Sequence, residues 1–307
     1  MVRPLLAAVS VDLDEIPAYH AIHGLPPPDT RAQGLVYDMA LARLEDLAQA
    51  HGVPLTLFVV GADLARPGNA ERLRRLAARG HALENHSLDH RYDLVRLGRS
   101  EIRRQIASGI TVLEGATGVR PTGFRAPGYT ITDEVLTLLR EHEVRWDSSV
   151  FPCPVYWGAK AAAMGLQRLG GRRSRSILDT PRVLSAPVRP YRVGRPYHRT
   201  GHGLLELPIQ VTRRLRLPFI GTALTLAGPR GAVRLAEGVV GEPFVNLELH
   251  GIDLLDAGDG LGALAPHQPD VRVPWRRKRE ALAAALERLS AGGHAFCRLD
   301  EVAARYA

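Results

Sequence analysis

From the first residues onward, apolar runs of strand length alternate with amphipathic helical stretches. Leu5 to Val11 reads as a buried strand, residues 36–50 as a helix with Leu41, Leu44 and Leu47 on one face, and Leu55 to Val60 as a second strand. A short helix over 69–79 carries Leu73 and Leu76, and is followed by a strand from His81 to Glu84 and a helix over 98–116. Gly123 to Arg125 predicts a strand, Ile131 to His142 a helix entered through Thr130 or Thr132, and Val144 to Asp147 another strand. Strand and helix taking turns in this way predicts an α/β fold of parallel strands joined by crossover helices, either an open doubly wound sheet or a closed barrel.

The alternation breaks over residues 152–203, which are rich in Pro, Gly and Arg. Strands are expected again at Leu204–Ile209, Leu215–Leu217 and Phe244–Leu249, then a helix at 276–291 and a last strand at His294–Leu299. Polar residues at strand ends lie on both sides of the break, so residues 1–307 read as one domain with 152–203 as an insertion or lid.

Those polar strand ends carry the candidate chemistry. Side chains alternate along a strand, so Asp12 and Asp14 share a face at the carboxyl end of the first strand, where parallel α/β folds place their sites. Two carboxylates that close repel, and need a cation or a shared proton. His86 and His90 are four apart; one helical turn would put both imidazoles on one face, a spacing suited to two nitrogen ligands of a divalent metal. His198 and His202 repeat the spacing without a strand-end acid beside them, and are read as incidental. In Gly123-Phe124-Arg125-Ala126-Pro127-Gly128-Tyr129 a strand ends on an arginine before a tight turn, a seat for an oxyanion and for an acid's partner. Trp146-Asp147-Ser148-Ser149 and Asn246-Leu247-Glu248-Leu249-His250 end two further strands.

Taken in order, VDLD, HSLDH, FRAPGY, WDSS and LELHG between residues 10 and 251 resemble the NodB-type polysaccharide deacetylases, carbohydrate esterase family four. The resemblance implies a deformed (β/α) barrel of about seven parallel strands. It also implies a metal-dependent hydrolase that removes an acyl group, typically N-acetyl, from an amino sugar or sugar-containing conjugate. Its roles carry over as follows: Asp12 is the base toward the attacking water, Arg125 the base's partner, His250 the general acid and Asp147 the carboxylate that orients it. Tyr129, through its backbone N–H, and Trp146 fall at the oxyanion and substrate positions. His86 and His90 match two metal ligands. The family commonly has two adjacent aspartates in its first motif, whereas Leu13 separates them here; the alternation argument makes Asp14 the third ligand. Zinc suits such nitrogen and oxygen ligands, with cobalt or nickel able to substitute.

Composition narrows the rest. With 307 residues, 45% of them hydrophobic and 23% charged, the chain has enough apolar surface to offset its ordering entropy and is not a disordered protein. Cys153 and Cys297 can form at most one disulfide and have no CxxC partner, so neither a disulfide scaffold nor a thiolate zinc site is expected. Forty basic against 32 acidic residues give a net charge of +8, but the arginines are scattered and no aromatic-interleaved basic run appears, so no nucleic-acid partner is expected. One cluster stands out: Arg168, Arg172, Arg173 and Arg175 follow an Ala-, Met- and Leu-containing helical stretch from Tyr156 to Leu169. Residues 156–175 therefore read either as a lid helix or as a peripheral contact with an anionic membrane. The short apolar N-terminal run ends in acids rather than at a cleavage site, so the expected compartment is the cytosol, at the inner membrane surface if the membrane reading holds. Two rivals remain open: a metal-free amidohydrolase on the same barrel, and an arginine-rich membrane- or nucleic-acid-binding protein without activity.

Overall fold

The computed structural model describes residues 4–169 and 174–306; Arg172 and Arg173 lie outside the described residues. The first half follows the apolar pattern closely: β1 (Leu5–Asp12), α1 (Ile16–His23), α2 (Leu41–His51), β2 (Leu55–Val59), α3 (Asn69–Ala78), β3 (Ala82–Asn85) and α4 (Arg99–Thr117). Next come β4 (Gly123–Phe124), α5 (Asp133–Glu141) and β5 (Trp146–Asp147). Thr132 starts α5 by accepting the Val135 N–H, one of the two threonines the sequence offered.

Beyond β5 the chain departs more from expectation. The stretch after residue 152 opens with α6 (Pro154–Leu169) and ends in a hairpin of β6 (Tyr191–Val193) and β7 (Thr200–Glu206), so the expected boundary at 203 falls inside a strand of the sheet. Residues 215–217 do not form a strand; only Val211 and Pro218 bridge, and the arginine-rich tip between them turns. The helix α7 (Gly221–Glu237) was hidden from periodicity by Gly228-Pro229, where Gly228 takes a φ of 67° and kinks it. The remaining elements are β8 (Phe244–His250), α8 (Trp275–Ala291), β9 (His294–Phe296) and α9 (Leu299–Arg305), the last of which takes the end of what read as a strand.

The sheet runs β6-β7-β5-β4-β3-β2-β1-β8, with β9 paired to the start of β1; every pairing is parallel except β6 with β7. It curls into the expected deformed barrel. Where β7 and β8 would meet, the gap is bridged by single contacts: Gln210 N donates to Asn246 O at 3.1 Å, and the Asn246 amide donates to Leu207 O at 3.3 Å. No helix among the described residues is long and apolar enough to cross a membrane.

Alternation sorts each strand into two sets. Val9 and Val11, Leu55 and Leu57, and Leu247 and Leu249 face the helices in one large core. Leu6, Ala8, Phe58, Trp146, Leu205 and Leu207 face inward and fill the barrel's lower interior. The same parity carries Ser10 and Asp12, His86, Arg125, Ser148, and Glu248 and His250 inward at the carboxyl ends, above that apolar floor.

Candidate active site

Asp14, His86 and His90 converge. Asp14 Oδ1 lies 3.1 Å from His86 Nε2 and 3.1 Å from His90 Nε2. All three residues are buried, and those three atoms lack any hydrogen-bond partner, which is costly for buried polar groups unless something else satisfies them. The donor set of two imidazole nitrogens and one carboxylate, aimed at one point, fits a divalent cation such as zinc. His86 Nδ1 is 2.7 Å from the Arg125 carbonyl oxygen; donating its proton there leaves Nε2 free to ligate, as an outer-shell partner does in metal sites. Burial alone would raise the Asp14 carboxyl, but His90 and His86 outweigh it and hold it well below the usual carboxylate range. His86 is shifted upward: burial opposes its charge, and Asp12 and Asp14 more than compensate.

The two imidazoles meet by a route other than the expected helical turn. Residues 86–90 form an irregular turn in which Ser87 and His90 take φ values of 68° and 49°. α4 holds this turn in place: Leu88 N donates to Gln105 O at 3.0 Å and Asp89 N to Gln105 Oε1 at 2.9 Å. His90 also packs edge-on against Tyr92, with ring centroids 4.7 Å apart.

Beside this cluster Asp12 is fixed by Arg125. Arg125 Nη1 donates to Asp12 Oδ1 at 2.7 Å, Nη2 to Ser10 Oγ and Ser148 Oγ at 2.8 and 2.9 Å, and Nε to Ser148 O at 2.8 Å. Its guanidinium stacks over Phe58 at 4.1 Å. Four contacts and complete burial leave the arginine a single orientation, and with it the carboxylate. Asp12 Oδ2 stays on the cluster side, 3.8 Å from His86 Nε2.

His250 closes the opposite wall. Its Nδ1 lies 3.0 Å from Glu248 Oε1, its Nε2 lies 3.1 Å from the Tyr129 hydroxyl, and its backbone N–H donates to Asp253 Oδ2 at 2.9 Å. Burial would lower the imidazole, but the charge and hydrogen bond of Glu248 hold it well above its ordinary value. Glu248 was not singled out in the sequence, although the alternation that aligned Asp12 with Asp14 also places residue 248 on the face of 250. Neutralising it in Glu248→Gln removes that support. The prediction is that the alkaline limb of the pH–rate profile, set by loss of the His250 proton, moves to lower pH, with kcat falling about 10- to 100-fold at high pH. An unmoved limb would refute the pairing.

Three expected roles are corrected. Asp147 does not orient His250: next to inward-facing Trp146, it points out of the barrel, accepts from Ser149 N and Oγ at 3.2 and 2.8 Å, and lies in register with Glu206. Burial first, then the charge of Asp147, raises Glu206, and burial likewise raises Asp147, so both carboxyls are strained toward their neutral forms away from the site. Trp146 does face inward, but two residues below Ser148; it is 1% exposed and packs edge-on against Phe58 in the barrel floor, out of reach of a substrate. Tyr129 does not present a free backbone N–H: the turn, with φ of 66° at Gly128 and 58° at Tyr129, directs that N–H to Ala126 O at 3.1 Å. Its phenol reaches the site instead. A cleft of about 1120 Å³ opens beside His90, bordered by Glu15, Asp63, Tyr92, Arg96 and Arg175. Asp63, also unanticipated, has its carboxyl pushed up to about 8 by burial and by the charges of Glu15 and Asp14.

Fold and site together define a class: parallel α/β barrels that gather a His-His-Asp cluster and an arginine-held aspartate at the carboxyl ends of their strands. Residues 35–146, which include His86, His90 and Arg125, match the family model of polysaccharide deacetylase. The chain is 24% identical over 152 residues to a peptidoglycan deacetylase of Helicobacter pylori, covering 49% of this chain and 51% of that protein. It is 36% identical over 96 residues to a chitooligosaccharide deacetylase of Sinorhizobium fredii, covering 30% and 42% respectively. The chain thus spans about half, or less, of the curated relatives it matches. A polysaccharide deacetylase-like protein from Mycobacterium smegmatis shares the fold across 99% of this chain and 90% of its own, with a TM-score of 0.61 and 18% identity. Over these stretches the chain is similar to polysaccharide deacetylases, and its fold is shared with one.

Proposed function

We propose that this protein is a metal-dependent hydrolase that removes an N-acyl group, acetyl by the example of its relatives, from an amino sugar or a sugar-containing conjugate. One observation carries the reading: three unpartnered ligand atoms of Asp14, His86 and His90 point at one another beside an aspartate held by Arg125. A divalent cation held by those three residues supplies Lewis acidity toward the acyl oxygen and lowers the pKa of water, with zinc the best match and cobalt or nickel substitutes. Asp12, pinned through Oδ1, offers Oδ2 to take the proton of the attacking water. His250, held protonated by Glu248, keeps its Nε2 proton on the Tyr129 hydroxyl until the leaving nitrogen needs it. Ser10, Ser148 and Asn246 act at one remove: Ser10 Oγ donates to Asn246 Oδ1 and the Asn246 amide to Ser148 Oγ, a closed network that holds Arg125.

Acetate release from N-acetylglucosamine oligomers, measured on purified protein with and without chelator and alongside elemental analysis, tests the proposal. Bound zinc, with activity lost to chelator and restored by metal, is the expected result. Protein that carries no metal yet hydrolyses amides in the presence of chelator would establish the metal-free alternative instead.

A further inference from the structure

Helix α6 packs Tyr156 and Trp157 against the body but also presents an apolar outer side. Its partly covered side carries polar groups: Lys160 Nζ donates to Gly128 O at 2.9 Å, Gln167 Nε2 lies 3.3 Å from His23 Nδ1, and Trp157 Nε1 donates to Asp179 O at 3.0 Å. No residue of the helix is buried. Its outer side presents Val155, Ala159, Ala162, Leu166 and Leu169 in steps of four, three, four and three residues, the spacing of one continuous stripe. That stripe runs about 21 Å. Val155 is 50% exposed, Leu166 70% and Leu169 87%.

A second exposed element adjoins it. Cys153, at the foot of α6, lies 3.2 Å from the Arg216 carbonyl oxygen in the turn that follows Val211, and in this turn Leu215 is 72% exposed between arginines. Among the described residues six large hydrophobic side chains are exposed, and four of them are these: Val155, Leu166, Leu169 and Leu215. Arg168, Arg175, Arg213 and Arg214 flank them, all exposed. Arg168, Arg175 and Arg214 make no ion pair among the described residues, and Arg213 reaches Glu242 only at 4.0 Å. No acidic residue occurs from Pro152 to Leu178, nor from Leu207 to Leu235.

We infer that α6 and the Arg213–Leu215 tip form a docking surface for an anionic lipid bilayer, with the leucines entering the headgroup boundary and the arginines pairing with lipid phosphates. Apolar side chains flanked by arginines, three of them without an ion pair among the described residues, match the two-signal requirement for stable peripheral binding. A second copy of the chain fits less well, because an isologous contact would set the arginine-rich rims against each other. Because α6 reaches from the Gly128 turn to α1, docking brings the cleft beside His90 to the membrane surface. The inference does not depend on the proposed reaction.

The test is sedimentation of the full chain with phosphatidylcholine vesicles, with and without phosphatidylglycerol, at low and high salt. Binding should require phosphatidylglycerol, weaken with salt, fall about 10- to 30-fold in Arg168→Glu, and drop to background in the double variant Leu166→Glu/Leu169→Glu. The double variant should keep the parent's melting temperature and its rate on a soluble substrate, since both side chains are exposed. Absence of binding to the anionic vesicles, or equal binding by the double variant, overturns the inference. So does a concentration-dependent dimer in light scattering that the double variant abolishes, which would make the stripe a self-association surface.

Discussion

Asp12→Asn should lower kcat by about 10²- to 10⁴-fold while leaving the metal content unchanged. Asparagine preserves shape and can still accept from Arg125 Nη1, but its amide cannot take a proton from water. The same substitution leaves a fully buried guanidinium without the charge it faces at 2.7 Å, and breaking a buried pair typically costs about 3–5 kcal/mol. A lowered melting temperature should therefore accompany the rate loss, and assays should be run well below it. A variant that stays folded, keeps its metal and turns over at near the parent rate would remove Asp12 from the role of base.

Metal retention should fail in Asp14→Ala, His86→Ala and His90→Ala. Losing even an outer-shell partner of a metal site typically weakens binding about 10- to 100-fold, and loss of one of only three protein ligands should exceed that. Elemental analysis after gel filtration should find little bound zinc in each variant. His198→Ala is the control: it belongs to a pair with identical sequence spacing, but His198 sits in the loop of the β6–β7 hairpin and belongs to no metal-ligating cluster among the described residues. Equal metal content in the control and the three variants would dissolve the cluster as a binding site. The Asp14 variant is the most informative, because in this chain Leu13, part of the main core, separates the two aspartates that the family commonly places side by side.

How much of this was legible beforehand depended on whether the deciding interaction was local. The strand–helix alternation and the shared face of Asp12 and Asp14 followed from periodicity, because a strand's parity is fixed by its own backbone; periodicity left open sheet and closed barrel undecided, and the barrel was implied only by the family resemblance. His86 and His90 were found by spacing, although a left-handed turn braced by Gln105 brings them together rather than a helix. The helix α7 was missed because its Gly-Pro kink interrupts the pattern that periodicity relies on.

By itself the sequence determined the order of elements, the edge of the sheet where the polar groups gather, and the residue types available there. Only the tertiary structure decided which member of an adjacent pair faces the site. On β5 and at the residue after it, Trp146 and Ser148 turn inward and Asp147 turns outward to Glu206. Parity says that neighbours point opposite ways but not which of them points in. That choice is made by what the barrel must enclose: an indole over Phe58 is favourable in its apolar floor, and a carboxylate there would be left without a partner.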